Sequence, residues 1–133
     1  MTPRKVNNIL ELVGETPLVR INRMNPVPGV ELLVKLESMN PGGSVKDRVG
    51  LTMIEQAEAT GQLTPGKIVL EASSGNTAIG LAMVCAVKGY RLLVTMSESA
   101  SEERKRILKA YGAQIRLTPG YQGTDGAIEE AYR

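Results

Sequence analysis

Lys46 stands two residues after Ser44 and one before Asp47, within Asn40-Pro-Gly-Gly-Ser-Val-Lys-Asp-Arg-Val-Gly50. Asn40 to Gly43 is a breaker cluster, so the backbone turns there. Ser44 has the chemistry of a helix N-cap, and Asp47 three residues on would complete a capping box. Lys46 then falls in the first turn of a helix. The helix dipole and unpaired N–H groups already place positive charge there, and Arg48 adds to it. A lysine held in such a place would give up its proton more readily, and an amine is a nucleophile only when neutral. Schiff-base chemistry with a carbonyl is the reaction this suits. The alternative is a surface lysine that swings into water.

A second stretch, Ala72-Ser-Ser-Gly-Asn-Thr77, lies between a strand-like and a helix-like segment. It offers hydroxyls, the Asn76 amide, a permissive glycine and the free N–H groups of a helix start. Together these suit a small anion such as a carboxylate or phosphate. Alternatively, Asn76 or a serine caps the helix and does nothing more. No Gly-Lys-Ser/Thr follows, and the spacing is not that of a dinucleotide-binding turn. The stretch 96–101 has a similar composition, which capping explains in full.

Positioning two such turns requires strands that alternate with helices. Residues 17–23 alternate apolar and polar, as a half-buried strand does, and 31–36 read as a second strand. A helix should run from the Lys46 turn to about Thr60, burying Val45, Val49, Met53 and Ala57. Residues 67–71 read as a short buried strand. A helix follows over 76–88, uncharged from Thr77 to Val87 and therefore buried on nearly every side. Strand 90–96, a helix opened by a Ser99–Glu102 capping box and closing near Tyr111, strand 113–118 and a helix from Gly123 complete the pattern. Gly61, Gly89 and Gly112 sit where helices should end. This alternation means βαβ units: an α/β fold with an open parallel sheet flanked by helices. Ligands in such sheets bind beyond the carboxyl ends of the strands, where both turns fall.

Composition narrows the function. The chain has 133 residues, 42% apolar and 23% charged, with a net charge of +2, so there is no nucleic-acid footprint. Histidine is absent, which removes His-based triads and most zinc sites; no metal is expected. One cysteine, Cys85, fits a reducing compartment. No apolar run approaches the roughly 20 residues that span a bilayer. The first eight residues lack a signal-peptide core, and a cytoplasmic location is expected. The sequence stops at Glu129-Glu-Ala-Tyr-Arg133 inside a helix-forming stretch, as one half of a larger fold would.

With these residues in hand, the chain resembles the amino-terminal half of the cysteine synthases (O-acetylserine sulfhydrylases), fold-type II pyridoxal-phosphate enzymes. Asn40 to Arg48 resembles the family's cofactor-lysine motif, and Glu71-Ala-Ser-Ser-Gly-Asn-Thr77 its substrate-carboxylate loop. Gly14-Glu-Thr-Pro-Leu18, Lys35-Leu-Glu37, Ser101-Glu-Glu-Arg104, Ala110-Tyr-Gly-Ala113 and Gly123-Thr-Asp-Gly-Ala127 match in order. The resemblance implies that Lys46 holds pyridoxal phosphate and moves the α-proton. It implies that Asn76 bonds the cofactor's ring hydroxyl and that Ser73, Ser74, Gly75, Asn76 and Thr77 bind the substrate carboxylate. The reaction implied is β-replacement, in which an activated serine loses its leaving group and sulfide takes its place, giving L-cysteine. A homodimer is implied as well, with no nucleic-acid or membrane partner. Residues 1–40 would pack on the family's larger domain, and 41–133 would form the small α/β domain. The family's phosphate loop and its partner for the pyridine nitrogen belong to a carboxyl-terminal half outside these 133 residues, so weak turnover and weak cofactor retention are expected. Ala78 replaces a usual glycine and should stiffen the loop; Ser97 replaces a usual proline. Two other readings stay open: a non-catalytic module that binds a small carboxylate or a protein, and another fold-type II enzyme such as a cystathionine synthase or a serine/threonine dehydratase.

Overall fold

Ala78, Ile79, Gly80, Leu81, Ala82, Met83, Val84 and Cys85 are consecutive and all buried, which makes their helix, α2 (Asn76–Lys88), the centre of the molecule. The structure is a computed structural model and describes residues 5–133; the first four residues of the 1–40 segment, and of the stretch read as lacking a signal-peptide core, lie outside the described residues. The uncharged run expected to be buried is so up to Cys85, after which Ala86 and Val87 face outward.

Beneath α2 lies a three-stranded parallel sheet, ordered β3 (Ile68–Ala72), β4 (Arg91–Ser97) and β5 (Gln114–Thr118). Ala72 pairs with Thr95, and Ser97 with Thr118. Successive residues of a strand point to opposite faces. Leu92, Val94 and Met96 accordingly join α2 and Leu108 of α3 (Glu102–Ala110) in the core. Thr95 points the other way and donates its hydroxyl to the Ala127 carbonyl of α4 (Gly123–Ala131) at 2.8 Å. Helices thus cover both faces, as the alternating pattern requires. No helix among the described residues is long and apolar enough to cross a membrane, and no group of metal-binding side chains occurs among them.

Helix α1 (Lys46–Ala59) lies along α2 on a face rotated from the one expected, with Ala57 packed against the core and Val49 half-buried. Val45 and Met53 are exposed, and the buried residues are Asp47, Gly50 and Ile54. Two glycines decide this. A Cβ on Gly50 would come within 2.8 Å of the Gly80 carbonyl carbon, and one on Gly80 within 2.6 Å of the Lys46 oxygen. The helices therefore touch backbone to backbone, which branched side chains would prevent.

Three further expectations need correction. The segments 17–23 and 31–36 shrink to β1 (Leu18–Arg20) and β2 (Leu33–Lys35), an antiparallel pair with every residue exposed. Two strands alone have no second layer to bury a face. β3 is not buried, because it is the sheet edge; Ile68 and Leu70 remain 48% and 46% exposed. Ser99 does not cap α3: Ser101 does, accepting from the Arg104 N–H, while the Ser99 N–H donates to Ser97 Oγ. Gly61, Gly89 and Gly112 do end or follow helices, all at positive φ.

The glycine contact predicts a sign. Alanine raises helix propensity by about 1 kcal/mol over glycine, yet Gly80→Ala should lower stability by about 2 kcal/mol, because the Cβ meets rigid backbone. Urea unfolding checks this; an unchanged or higher midpoint would contradict the contact.

Candidate active site

The turn that delivers Lys46 is built by short-range hydrogen bonds. The Gly43 N–H donates to the Asn40 carbonyl at 2.8 Å, and Gly43 sits at φ +84°. Ser44 Oγ accepts from the Lys46 N–H at 3.1 Å. The expected capping box does not close, because Asp47 reaches past Ser44 and accepts from the Gly42 N–H. A Cβ on Gly42 would run into that carboxylate, so a side chain there would displace it from the Gly42 N–H. Lys46 is the first residue of α1, exposed, and its Nζ has no hydrogen bond or ion pair among the described residues. An exposed amine of this kind fits both the Schiff-base reading and the surface lysine that swings into water.

Arg48 was expected to add positive charge beside Lys46. It does not stand alone: its Nε donates to Glu37 Oε2 and its Nη2 to Glu37 Oε1, each at 2.9 Å. This fork neutralises it, and the partner lies 11 positions upstream, beyond the reach of a local reading. The Arg48 hydrogen bonds, with help from Thr16, hold the Glu37 carboxyl down at about 2. Asp47 moves the other way. Burial raises it from its ordinary value, against the lowering effect of the Gly42 N–H, and its Oδ1 has no partner among the described residues.

In the second turn no side chain caps α2. Gly75 is the N-cap of α2, with no side-chain cap, and Asn76 is the exposed first helical residue. Ser73 Oγ accepts from the Gly75 N–H at 3.1 Å. The capping alternative for Asn76 and the serines is therefore not what forms, and the first N–H groups of α2 lack side-chain acceptors. Gly75 itself is at φ −106°, so it is not in the left-handed conformation that favours glycine. Ala78 is fully buried inside α2 and belongs to the core, not to the loop it was expected to stiffen.

Gly80 brings the two turns together. It touches the Lys46 backbone, and Asn76 is one helical turn earlier, ~6 Å along the axis. Lys46 and the 73–77 turn therefore share one end of the α1–α2 pair, beyond the carboxyl end of β3. A crevice at that edge is lined by Ser73, Ser74, Ser97 and Thr124. Ser97 and Thr124 had not been read as site residues. Ser97 bonds Ser99 Oγ at 2.7 Å rather than serving a helix cap. The positive φ of Gly123, +56°, sets the start of α4 beside the crevice, and the Gly-Thr-Asp-Gly wording was its only sequence signal.

Comparison with known proteins finds matches along nearly the whole chain. The family model "Pyridoxal-phosphate dependent enzyme" matches residues 9–133. The chain is 50% identical over 131 residues to a cysteine synthase of Staphylococcus aureus, covering 98% of the chain and 42% of that relative. The crystal structure of a cysteine synthase from Entamoeba histolytica superposes with a TM-score of 0.95 at 46% identity, over 99% of this chain and 40% of that one. An O-acetylserine dependent cystathionine β-synthase from Helicobacter pylori superposes at 0.90 with 32% identity, over 98% and 43%. The chain thus spans well under half the length of the relatives it matches.

The depressed Glu37 carboxyl carries a pH dependence. A carboxyl whose folded value lies below its ordinary 4.5 stabilises fully above that value and loses its effect as pH falls through about 2. The stability difference between wild type and Glu37→Gln should therefore shrink steadily between those limits in urea melts. A difference independent of pH would contradict the ion pair.

Proposed function

This chain belongs to the family of pyridoxal-phosphate dependent enzymes, and on that premise we propose that Lys46 and the Ser73–Thr77 turn are its cofactor and substrate site. The observation that supports the reading is the Gly80–Lys46 backbone contact, which brings the first residue of α1, an exposed lysine, level with the start of a helix that no side chain caps. An aldehyde cofactor needs such an amine, and an amino-acid carboxylate needs such donors. The residues present fit pyridoxal phosphate in these two respects.

In this reading Lys46 is the residue that would hold the cofactor, and its amine would also take the substrate's α-proton. Asn76, exposed at the start of α2, offers its amide to the cofactor's ring hydroxyl. Ser73, Ser74, Gly75, Asn76 and Thr77 orient the substrate carboxylate through hydroxyls and helix N–H groups. When bound, the cofactor supplies an electron sink for the pair left by the departing proton. The reaction is β-replacement: an activated serine such as O-acetylserine loses its leaving group and sulfide adds, giving L-cysteine. The names of the Staphylococcus and Entamoeba relatives support this choice. The cystathionine synthase neighbour is less similar, at 32% identity, and sulfide is favoured over a thiol amino acid as nucleophile. Residues 1–40, with their exposed β1–β2 pair, would serve as a docking arm for a larger domain, and 41–133 as the small domain. The apolar side chains of that pair also suit contact with a second copy.

Incubation with pyridoxal phosphate, borohydride reduction and peptide mapping tests the reading. A pyridoxyl mass should appear on Lys46 in preference to exposed Lys109, and should be lost in Lys46→Ala. Asn76→Ala should weaken cofactor retention about fivefold, the loss of ~1 kcal/mol of hydrogen bonding. Cysteine should form from O-acetylserine and sulfide only where Lys46 is present. Label spread evenly over the lysines would sink the proposal.

A further inference from the structure

Among the described residues before α1, only Thr16 and Asn40 are buried, and both are polar. The buried apolar core begins at Ile54. Half-buried Leu10 is the one residue from this segment that packs against that core. Residues 14–45 therefore depend on polar contacts for their position, and besides the local bonds of the turn, Gly42 to Asp47 and Lys46 to Ser44, the side-chain contacts to α1 converge on one carboxylate. Glu37 Oε1 accepts from Thr16 Oγ1 at 2.6 Å and from Arg48 Nη2 at 2.9 Å. Glu37 Oε2 accepts from Arg48 Nε at 2.9 Å and from Asn40 Nδ2 at 2.8 Å. Each oxygen takes two donors, which fills the carboxylate. Asn40 Oδ1 accepts from the Gly14 N–H at 2.8 Å, and Arg48 Nη2 also reaches Thr16 Oγ1 at 3.2 Å.

The partners of Glu37 bracket the lysine turn. Asn40 is its first residue, and Arg48 lies two residues after Lys46. One carboxylate therefore grips the segment on both sides of the amine. We infer that Glu37 is a positioning residue for Lys46, acting through Asn40 and Arg48 without touching the ligand itself. The inference rests on the proposed role of Lys46. It gives the fork of Arg48 a task that lysine could not perform, since an ammonium cannot grip two carboxylate oxygens in one plane. Replacing Glu37 by glutamine keeps the shape but offers one acceptor oxygen, so Arg48, Thr16 and Asn40 cannot all be served.

The test compares Glu37→Gln with wild type in the 133-residue chain by two readings. The first is amide hydrogen exchange in the absence of cofactor. Exchange at Gly42 and Gly43 should rise about tenfold, the effect of losing a hydrogen bond to a charged group, with exchange at Val94 and Met96 in β4 unchanged. The second is the pyridoxyl label trapped by borohydride, in which the share on Lys46 relative to Lys109 should fall by a similar factor. A merely structural role would raise exchange in β4 as much as in the turn, and that outcome overturns the inference. Unchanged exchange and labelling overturn it too. Wild type showing no preference for Lys46 sinks the proposed function first and this inference with it, which separates the two failures. If Glu37→Gln does not fold, Thr16→Val decides: it removes one donor from the same carboxylate and should give the same localised pattern, about threefold in size.

Discussion

Two glycines facing each other across α1 and α2 set the geometry on which the rest depends. Backbone meets backbone at Gly50 and Gly80, a separation that side chains would not allow. The consequence is one of register as much as distance. Because Gly80 receives the carbonyl of Lys46, the start of α1 lies level with the start of α2. The first residue of α1 and the uncapped first turn of α2 then lie at the same end of the helix pair. With bulkier residues the helices would still pack, but farther apart or displaced along their axes, and the two halves of the site would separate.

The site is held by two different kinds of force. α2 and the sheet are placed by apolar burial, from Leu81 and Val84 to Met96 and Leu108. The lysine turn is placed by electrostatics. Glu37 and Arg48 form a fork whose carboxyl stays ionised through the neutral range, and Asp47 is buried with one oxygen on the Gly42 N–H and the other without a partner. An incompletely satisfied buried carboxylate is costly, and such costs collect near functional sites. This division fits a site that needs one rigid wall and one adjustable edge.

Much of the fold was legible because its punctuation is local. The bounds of α2 follow from Asn76, Lys88 and Gly89, and the alternation of strands and helices follows from residue type alone. What could not be read involves partners far apart in the chain. Val45, Val49, Met53 and Ala57 form a convincing apolar row, yet the glycine of another helix draws α1 toward Gly50 and Ile54. Arg48 looked like an unpaired cation because Glu37 is 11 residues away. The segment 17–23 looked like a half-buried strand and 31–36 like a second strand because their apolar residues are real, although no layer among the described residues covers them. Lys46 and the 73–77 turn stood out as two separate candidate sites from their wording. Their closeness was not, since it depends on the Gly50–Gly80 contact, and neither was the crevice formed by Ser97 and Thr124.

Nuclear Overhauser spectra of the folded chain test the central geometry most directly. Cross-peaks are expected between the α-protons of Gly80 and those of Asp47, and between Gly50 and the Leu81 amide, as the close approach of those backbones requires. Their absence while other α1–α2 cross-peaks remain would mean that the helices pack in a different register, and would contradict the shared site for Lys46 and Asn76.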